Sequence, residues 1–333
     1  MRTVLYLLGG IAVVGLGGFA YFYFRSPTVA PPANIIVDKS PERVERGKYI
    51  FTHVSDCDFC HSEQDMTRLA LPVIESTRGQ GKLMADTDLP GRIYARNITP
   101  DMETGIGSWT DGEKIRAIRE GVDKDGRALF PIMPYSFYRY MSDEDVQAVV
   151  AFLDTIPAIK HQLPPTQVNF PDSMWMKGDP RPVTRPYKTP DSRVSGPAKK
   201  LLYGEYLATI AHCEVCHTPY PGLKEDTSLR FAGGRHFITP VGDVYSANIT
   251  PDSYTGIGAW DVQRFKDRLK VYLQYEKDGP PVVGPDRFTM MPYQAFAHLT
   301  DYDMEAIYGY LMTRTAINHK VDPHPGMPER KEP

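Results

Sequence analysis

Three kinds of hydrophobic pattern divide the chain. Residues 3–24 carry no charge over 22 positions, enough to cross about 30 Å of hydrocarbon as a helix. Phe19, Tyr21, Phe22, Tyr23 and Phe24 close this stretch with an aromatic cluster, as at a membrane interface. A signal peptide competes with this reading, but its apolar core would be shorter, and Pro31 after Thr28-Val29-Ala30 makes a poor cleavage site. The expectation is an uncleaved single-pass anchor over residues 1–25. Further on, Val146, Val149, Val150 and Leu153 recur at helical spacing, as do Met304, Ile307, Tyr308 and Leu311. Both stripes predict core-facing helices packed on the helices that open their halves.

Proline marks the third pattern. Residues 26–39 hold three prolines and read as a tether. Residues 157–197 hold nine prolines in 41 positions, which excludes a long helix. They predict an extended strap over the junction between the two flanking regions of the chain, with a free linker as the alternative. Four prolines after Val321 predict an irregular or disordered tail.

Between these segments the same motifs occur twice in the same order. Gly47-Lys48-Tyr49 matches Gly204-Glu205-Tyr206, and Asn97-Ile98-Thr99-Pro100-Asp101 matches Asn248-Ile249-Thr250-Pro251-Asp252. Thr104-Gly105-Ile106-Gly107 with Trp109 matches Thr255-Gly256-Ile257-Gly258 with Trp260, and Met133-Pro134-Tyr135 matches Met291-Pro292-Tyr293. The offsets stay between 151 and 158 residues, as expected of a duplicated unit. Each copy opens with a helix. The first, from Glu42 to about Val54, has Ser40 as its cap and Pro41 at its first position; the second covers residues 199–211. Each copy then reads as a long loop, a helix after the Trp, a Met loop and a last helix. Ser142-Asp143-Glu144-Asp145 and Thr300-Asp301-Tyr302-Asp303 open the last helices with a Ser/Thr cap and an acid three residues on, a relative of the capping box.

All four cysteines lie at the ends of the two opening helices, in Cys57-Asp58-Phe59-Cys60-His61 and Cys213-Glu214-Val215-Cys216-His217. CxxCH is the attachment signature of c-type haem. Cys57 and Cys60, like Cys213 and Cys216, share one side of a helical turn and can form thioethers to one haem edge, while His61 and His217 offer proximal ligands to iron. A redox CxxC needs no following histidine, and a zinc pair would have its partner pair closer than 153 residues. Two covalently bound haems are therefore expected. Met133 and Met291, 72 and 74 residues after the proximal histidines and each followed by Pro-Tyr, are the candidate sixth ligands. A Met that merely fills a gap beside the ring is the plainer alternative. Of the other histidines, His53, His161, His212, His236, His298, His319 and His324, none is expected at equivalent positions in both copies, so no rival ligand is read among them. Asn97, Trp109, Tyr135, Asn248, Trp260 and Tyr293, with Arg96, are candidate pocket residues for haem propionates, against the alternative that they serve turns and caps.

Composition narrows the function. The 333 residues carry a net charge of -3 with no basic stripe, which excludes nucleic acid as an expected partner. Residues 40–165 hold 15 Lys/Arg against 20 Asp/Glu, a net -5, and residues 199–320 hold 13 against 14, a net -1. The first half thus suits a basic partner through a salt-sensitive contact. No GxGxxG and no P-loop is present, so the chain lacks the fingerprints of nicotinamide, flavin or nucleotide chemistry.

On CxxCH, Asn-Ile-Thr-Pro-Asp, Thr-Gly-Ile-Gly-x-Trp, Met-Pro-Tyr and the Ser-Asp-Glu-Asp-Val helix, residues 41–314 resemble the cytochrome c subunits of bacterial membrane-bound alcohol, aldehyde and gluconate dehydrogenases. That resemblance implies class I cytochrome c domains, and with the repeat and the apolar N-terminal stretch the expected fold is mainly α, two tandem class I domains behind a single N-terminal transmembrane helix. It also implies His/Met ligation by His61, Met133, His217 and Met291. The expected organisation is a tether over 26–40, domains over 41–160 and 199–320, a strap over 161–198 and a tail over 321–333. The implied role is single-electron transfer from a dehydrogenase or respiratory-complex partner to quinone, an oxidase or a soluble cytochrome, on the periplasmic side of the bacterial inner membrane. Those subunits typically hold three haem domains, whereas this chain has two motifs. The rivals are a dihaem peroxidase or thiosulfate-oxidising cytochrome, which needs one haem face open, and a haem-based sensor, which needs an output domain.

Overall fold

A computed structural model describes residues 2–85, 89–184, 187–190, 196–221, 225–239, 242–276, 279–283 and 288–326. The chain begins with the apolar helix α1 (Arg2–Phe24). The first half follows as α2 (Pro41–Tyr49), which continues as a π-helical turn over Ile50–Val54, then α3 (Cys57–His61), a hairpin of β1 (Lys82–Ala85) and β2 (Gly91–Ala95), and α4 (Asp111–Glu120), α5 (Tyr135–Tyr138) and α6 (Asp143–Leu153). The strap carries β3 (Gln167–Val168) and α7 (Asp172–Trp175). The second half repeats the order as α8 (Pro197–Ile210), α9 (Cys213–His217), the hairpin β4 (His236–Thr239) and β5 (Gly242–Tyr245), α10 (Val262–Lys270), α11 (Tyr293–Phe296) and α12 (Asp301–Leu311).

The fold is α-rich, with two small antiparallel sheets, β1-β2-β3 and β4-β5, inside what the sequence presents as long loops. These strands are short, and their alternation is too brief to separate from loop by pattern alone. Ser40 precedes α2 with Pro41 at the first position as expected, yet its side chain makes no cap bond.

In each half the opening helix packs against the last helix, α2 on α6 and α8 on α12. The backbones meet at glycine. A Cβ on Gly47 would stand 1.8 Å from the Ala148 carbonyl oxygen, and one on Gly204 1.9 Å from that of Ala306. The two halves share one core: Ile50, Phe51, Val54, Val146 and Leu153 join Leu207, Ile210, Met304, Ile307 and Leu311 in a continuous buried cluster.

The junction is reciprocal. Tyr49 of the first half donates to Asp303 Oδ2 of the second at 2.5 Å, and the Thr300 amide donates back to the Tyr49 hydroxyl at 3.1 Å. Tyr206 of the second half donates to Asp145 Oδ2 of the first at 2.5 Å, and the Ser142 amide donates to Tyr206 at 3.2 Å. Ser142 and Thr300 do cap their helices, accepting from the Asp145 and Asp303 amides at 3.0 and 3.1 Å. The acids that resembled capping-box partners bond across the junction instead. Burial and the facing carboxylate both hold the Tyr49 hydroxyl well above its ordinary pKa, and the same is true of Tyr206. Each hydroxyl therefore stays a donor.

The strap runs mostly along the first half and touches the junction near its end, where the Asp143 amide donates to the Tyr187 carbonyl at 2.9 Å and Thr189 donates to Ser142 Oγ at 2.6 Å. β3 pairs with β2, Arg96 donates to the Pro164 carbonyl, Arg139 to those of Arg181 and Pro182, and the Val183 amide to Glu120. It also folds into one helical turn, α7, which packs against the end of α1. Beyond the strap, the expected irregular tail lies outside the described residues from position 327 on.

The two reciprocal bonds differ in what remains when they are cut. Asp145 keeps the Arg46 fork, at 2.8 and 2.9 Å, whereas Asp303, 5% exposed, has no such cation among the described residues. Tyr49→Phe should cost about 2–3 kcal/mol and Tyr206→Phe about 1 kcal/mol, read from urea unfolding of the full chain. The reverse order would refute this asymmetry.

Candidate haem-binding sites

Both CxxCH segments are single helical turns entered through a left-handed residue, Asp56 at φ 43° and His212 at φ 44°. That sharp entry redirects the chain from the opening helix into α3 and α9. The proximal candidates are set alike. His61 Nδ1 lies 2.8 Å from the Arg96 carbonyl oxygen, and His217 Nδ1 lies 2.7 Å from that of Ala247. A ring whose Nδ1–H donates to a carbonyl presents Nε2 as its free electron pair, the arrangement of an oriented metal-ligating histidine. Burial pushes the His61 imidazole down to about 4 against the opposing effect of that bond, and His217 moves the same way. The rings are therefore neutral at pH 7. Each histidine's own carbonyl is held as well, accepting from the Gly81 and Gly233 amides at 2.8 Å.

None of the four cysteines forms a disulfide. Burial pushes Cys60 and Cys213 up to about 12, and Cys57 and Cys216 above the ordinary thiol range. A redox CxxC stabilises a thiolate instead.

The first motif is cinched by polar side chains. Gln64 Nε2 donates to the Asp58, Phe59 and Ser62 carbonyls at 2.9, 3.0 and 2.8 Å. Arg78 Nε bonds both oxygens of the buried Asp58 carboxylate, at 3.2 and 3.0 Å. In the second motif Arg235 donates to the Val215 carbonyl at 2.6 Å and Arg230 to Glu214 at 2.5 Å.

Met133 and Met291, half-buried, pack against the shared core just before α5 and α11. Tyr135 beside Met133 is 3% exposed and its hydroxyl has no partner among the described residues. An orphaned buried hydroxyl in the Met loop fits a site shaped for a group with acceptor atoms. Tyr293 does not repeat it: its ring stacks on Tyr272 at 4.3 Å, under the Arg268 guanidinium. Trp109 and Trp260 border the same core.

Asn97 and Asn248 have matching engagements. Their amides donate to Thr104 and Thr255, and to the Ile159 and Ile317 carbonyls, while accepting from Thr99 and Thr250. Both are latches that hold the segment after the last helix. Arg96 spends one nitrogen on Pro164.

One pairing escaped the sequence pattern. His161 and His319 are equivalents: each amide bonds Thr104 or Thr255, and each Nδ1 lies 3.0 Å from a carbonyl, Gln80 or Ala232. Their 158-residue offset, shared with Met133 and Met291, was the available signal.

The two sites adjoin. Ser55, two residues before Cys57, donates to the Ile210 carbonyl at 3.0 Å. Tyr138 donates to the Ser55 carbonyl at 3.3 Å and turns its ring edge to His212. Four residues before Cys57, His53 stacks on His298 at 4.7 Å.

No family model matches the chain. Individual relatives do. The gluconate 2-dehydrogenase cytochrome c subunit of Pantoea cypripedii is 31% identical over 280 residues, 80% of this chain and 58% of that protein. The alcohol dehydrogenase (quinone) cytochrome c subunit of Gluconobacter oxydans is 29% identical over 288 residues, 84% of this chain and 56% of that protein. The chain thus spans little more than half the length of these subunits. A diheme cytochrome c-type protein of Cereibacter sphaeroides is 30% identical over 323 residues, 93% of this chain and 98% of that protein.

The His53 ring carries a pH signature. Burial and the facing His298 hold it down to about 4, with Lys48 and Arg78 adding to the effect and the Ala295 backbone opposing it. A base with a depressed folded pKa contributes stability that is complete above its unfolded value, about 6.5, and is lost as pH falls towards 4. The unfolding free energy from urea titrations should fall over that window by on the order of 2 kcal/mol more in the wild type than in His53→Gln. Parallel pH profiles would refute the assignment.

Proposed function

The chain belongs to the c-type cytochromes, in the family that includes dehydrogenase cytochrome c subunits and a dihaem cytochrome, and on that premise we propose that it is a membrane-anchored, two-haem electron carrier. Covalently bound haem c and electron transfer follow from the family. In this reading residues 41–160 and 199–320 are two class I domains, each with one haem. Cys57, Cys60, Cys213 and Cys216 would form the thioethers, and His61 with Met133 and His217 with Met291 would hold the irons.

The observation that carries the reading is the matched pair of oriented imidazoles, each with Nδ1 on a backbone carbonyl behind a CxxCH turn. Bound haem supplies a one-electron ferric/ferrous couple. The chain's residues do the rest. The Arg96 and Ala247 carbonyls fix the rings and raise the basicity of Nε2. The Met loops, stiffened by Pro134 and Pro292, offer a thioether, a ligand that favours a high potential. The bonded segments around Ser55, Ile210 and Tyr138 support electron passage between the two sites within the chain.

Relatives named for gluconate and alcohol dehydrogenases support a dehydrogenase as donor, and the acceptor class is quinone, an oxidase or a soluble cytochrome. Helix α1, apolar over Tyr6–Phe24, is read as the anchor, with the haem-bearing halves on the periplasmic side.

Full-length protein in detergent should contain two haems per chain. In the ferric form both should show the weak near-infrared sulfur-to-iron band of His/Met haem. Met133→Ala and Met291→Ala should each remove half of that band, lower the potential of one haem and open that haem to carbon monoxide. A wild-type site that lacks the band and binds carbon monoxide would replace this reading with an enzyme having an open haem face.

A further inference from the structure

Where α1 meets the strap, Tyr21, Arg25, Ser26, Thr28, Lys177 and Arg181 line most of a cavity of about 310 Å³. Three cationic and three hydroxyl-bearing side chains line it, and no carboxylate does among the described residues. Arg25 Nε is buried with no acceptor among the described residues. Lys177 Nζ ties the strap to α1 by donating to the Tyr23 carbonyl at 2.5 Å. Gly178 admits the guanidinium, since a Cβ there would come within 2.3 Å of Arg25. Asp179 is close enough for Arg181 and Arg25 to act on its charge, but it does not line the cavity.

The surroundings of the cavity are apolar and outward-facing. Phe170, 64% exposed, tilts on Phe19 at 6.1 Å, and Trp175, 60% exposed, on Phe22 at 6.2 Å. Aromatic rings at the end of an apolar span belong at the level of lipid headgroups, where Lys and Arg meet lipid phosphate. An anion reaching the cavity here arrives with acyl chains attached.

We infer that this cavity binds the phosphate diester of an anionic phospholipid, whose chains lie along the exposed aromatics of α1 and α7. The site makes the strap a second membrane contact beside the anchor and fixes the first half against the bilayer surface. It rests on the reading of α1 as retained in the mature protein.

Native mass spectrometry of the full-length, haem-loaded protein in detergent tests this with phosphatidylglycerol, phosphatidylcholine and inorganic phosphate. One phosphatidylglycerol should be retained in preference to phosphatidylcholine by about tenfold or more. Arg181→Gln, at an exposed position, should weaken that preference severalfold, and the Arg25→Gln/Lys177→Gln/Arg181→Gln variant should abolish it with unchanged haem content and absorbance. Equal retention of the two lipids, or a preference that survives the triple variant, overturns the site. Displacement of phosphatidylglycerol by inorganic phosphate overturns the lipid assignment in favour of a free-anion site. The same spectra read the intact mass: a chain beginning beyond Arg25 defeats the anchor reading itself, whereas a full-length chain without lipid preference defeats this inference alone.

Discussion

In an ordinary capping box the acid at the third helical position bonds back to the N-cap amide; here a tyrosine hydroxyl from the other half stands between the two. Tyr49 accepts from the Thr300 amide and donates to Asp303, and Tyr206 does the same between Ser142 and Asp145. Neither last helix is fully capped without the opposite half. Asp145 and Asp303 are 3% and 5% exposed, so separating the halves would leave Asp303 without its tyrosine donor and Asp145 with the Arg46 fork alone. Losses of that kind cost more than the bond itself contributes. Because the last helices grip the opening helices through Gly47 and Gly204, and those helices deliver the CxxCH turns, one reciprocal contact sets the position of both candidate sites.

Duplication explains the reciprocity, since a unit whose tyrosine fits its copy's cap is answered by the same fit in return. The symmetry is broken nearby. Arg46 forks onto Asp145, but the equivalent residue is Tyr203, which stacks on Tyr206. The segment after the first motif meets the second half directly, with the Leu69 amide on the Pro281 carbonyl and the Val283 amide on that of Thr67. The ionisable groups also differ, with buried Asp56 just before the first CxxCH and buried Asp58 within it, and His212 and Glu214 in the same places in the second. Potential follows burial and local charge as well as ligand identity, so two sites with the same ligand types are not electrochemical copies.

The sequence made some of this legible because the chemistry is local. Two cysteines and a histidine must share one turn, and Ser142 and Thr300 must immediately precede their helices. The repeat also exposed Gly47, Gly204, Tyr49 and Tyr206 as recurring positions. Their roles stayed hidden because a close crossing and a shared hydroxyl depend on which surfaces meet in three dimensions. Asp145 and Asp303 were read as intrahelical partners for the same reason: spacing shows what an acid can reach along its own helix, not across a junction. Asn97 and Asn248 looked like equally good candidates for a pocket or a turn, and the latch to Ile159 and Ile317 spans more than sixty residues. Proline count correctly ruled out a long helix in the strap, but it carried no information about the surface the strap would follow.

That surface bears on the fate of α1. A signal peptide is discarded, so nothing in the mature fold should depend on it. Here Lys177 bonds the Tyr23 carbonyl, Gly178 makes room for Arg25, and Phe170 and Trp175 tilt against Phe19 and Phe22. Cleavage before Pro31 would strip all four contacts from the strap and leave two large aromatic rings with no neighbour from α1. Large exposed aromatics without a partner mark an interaction surface. In the proposed reading, in which α1 is kept as an anchor, these contacts seat strap and helix together.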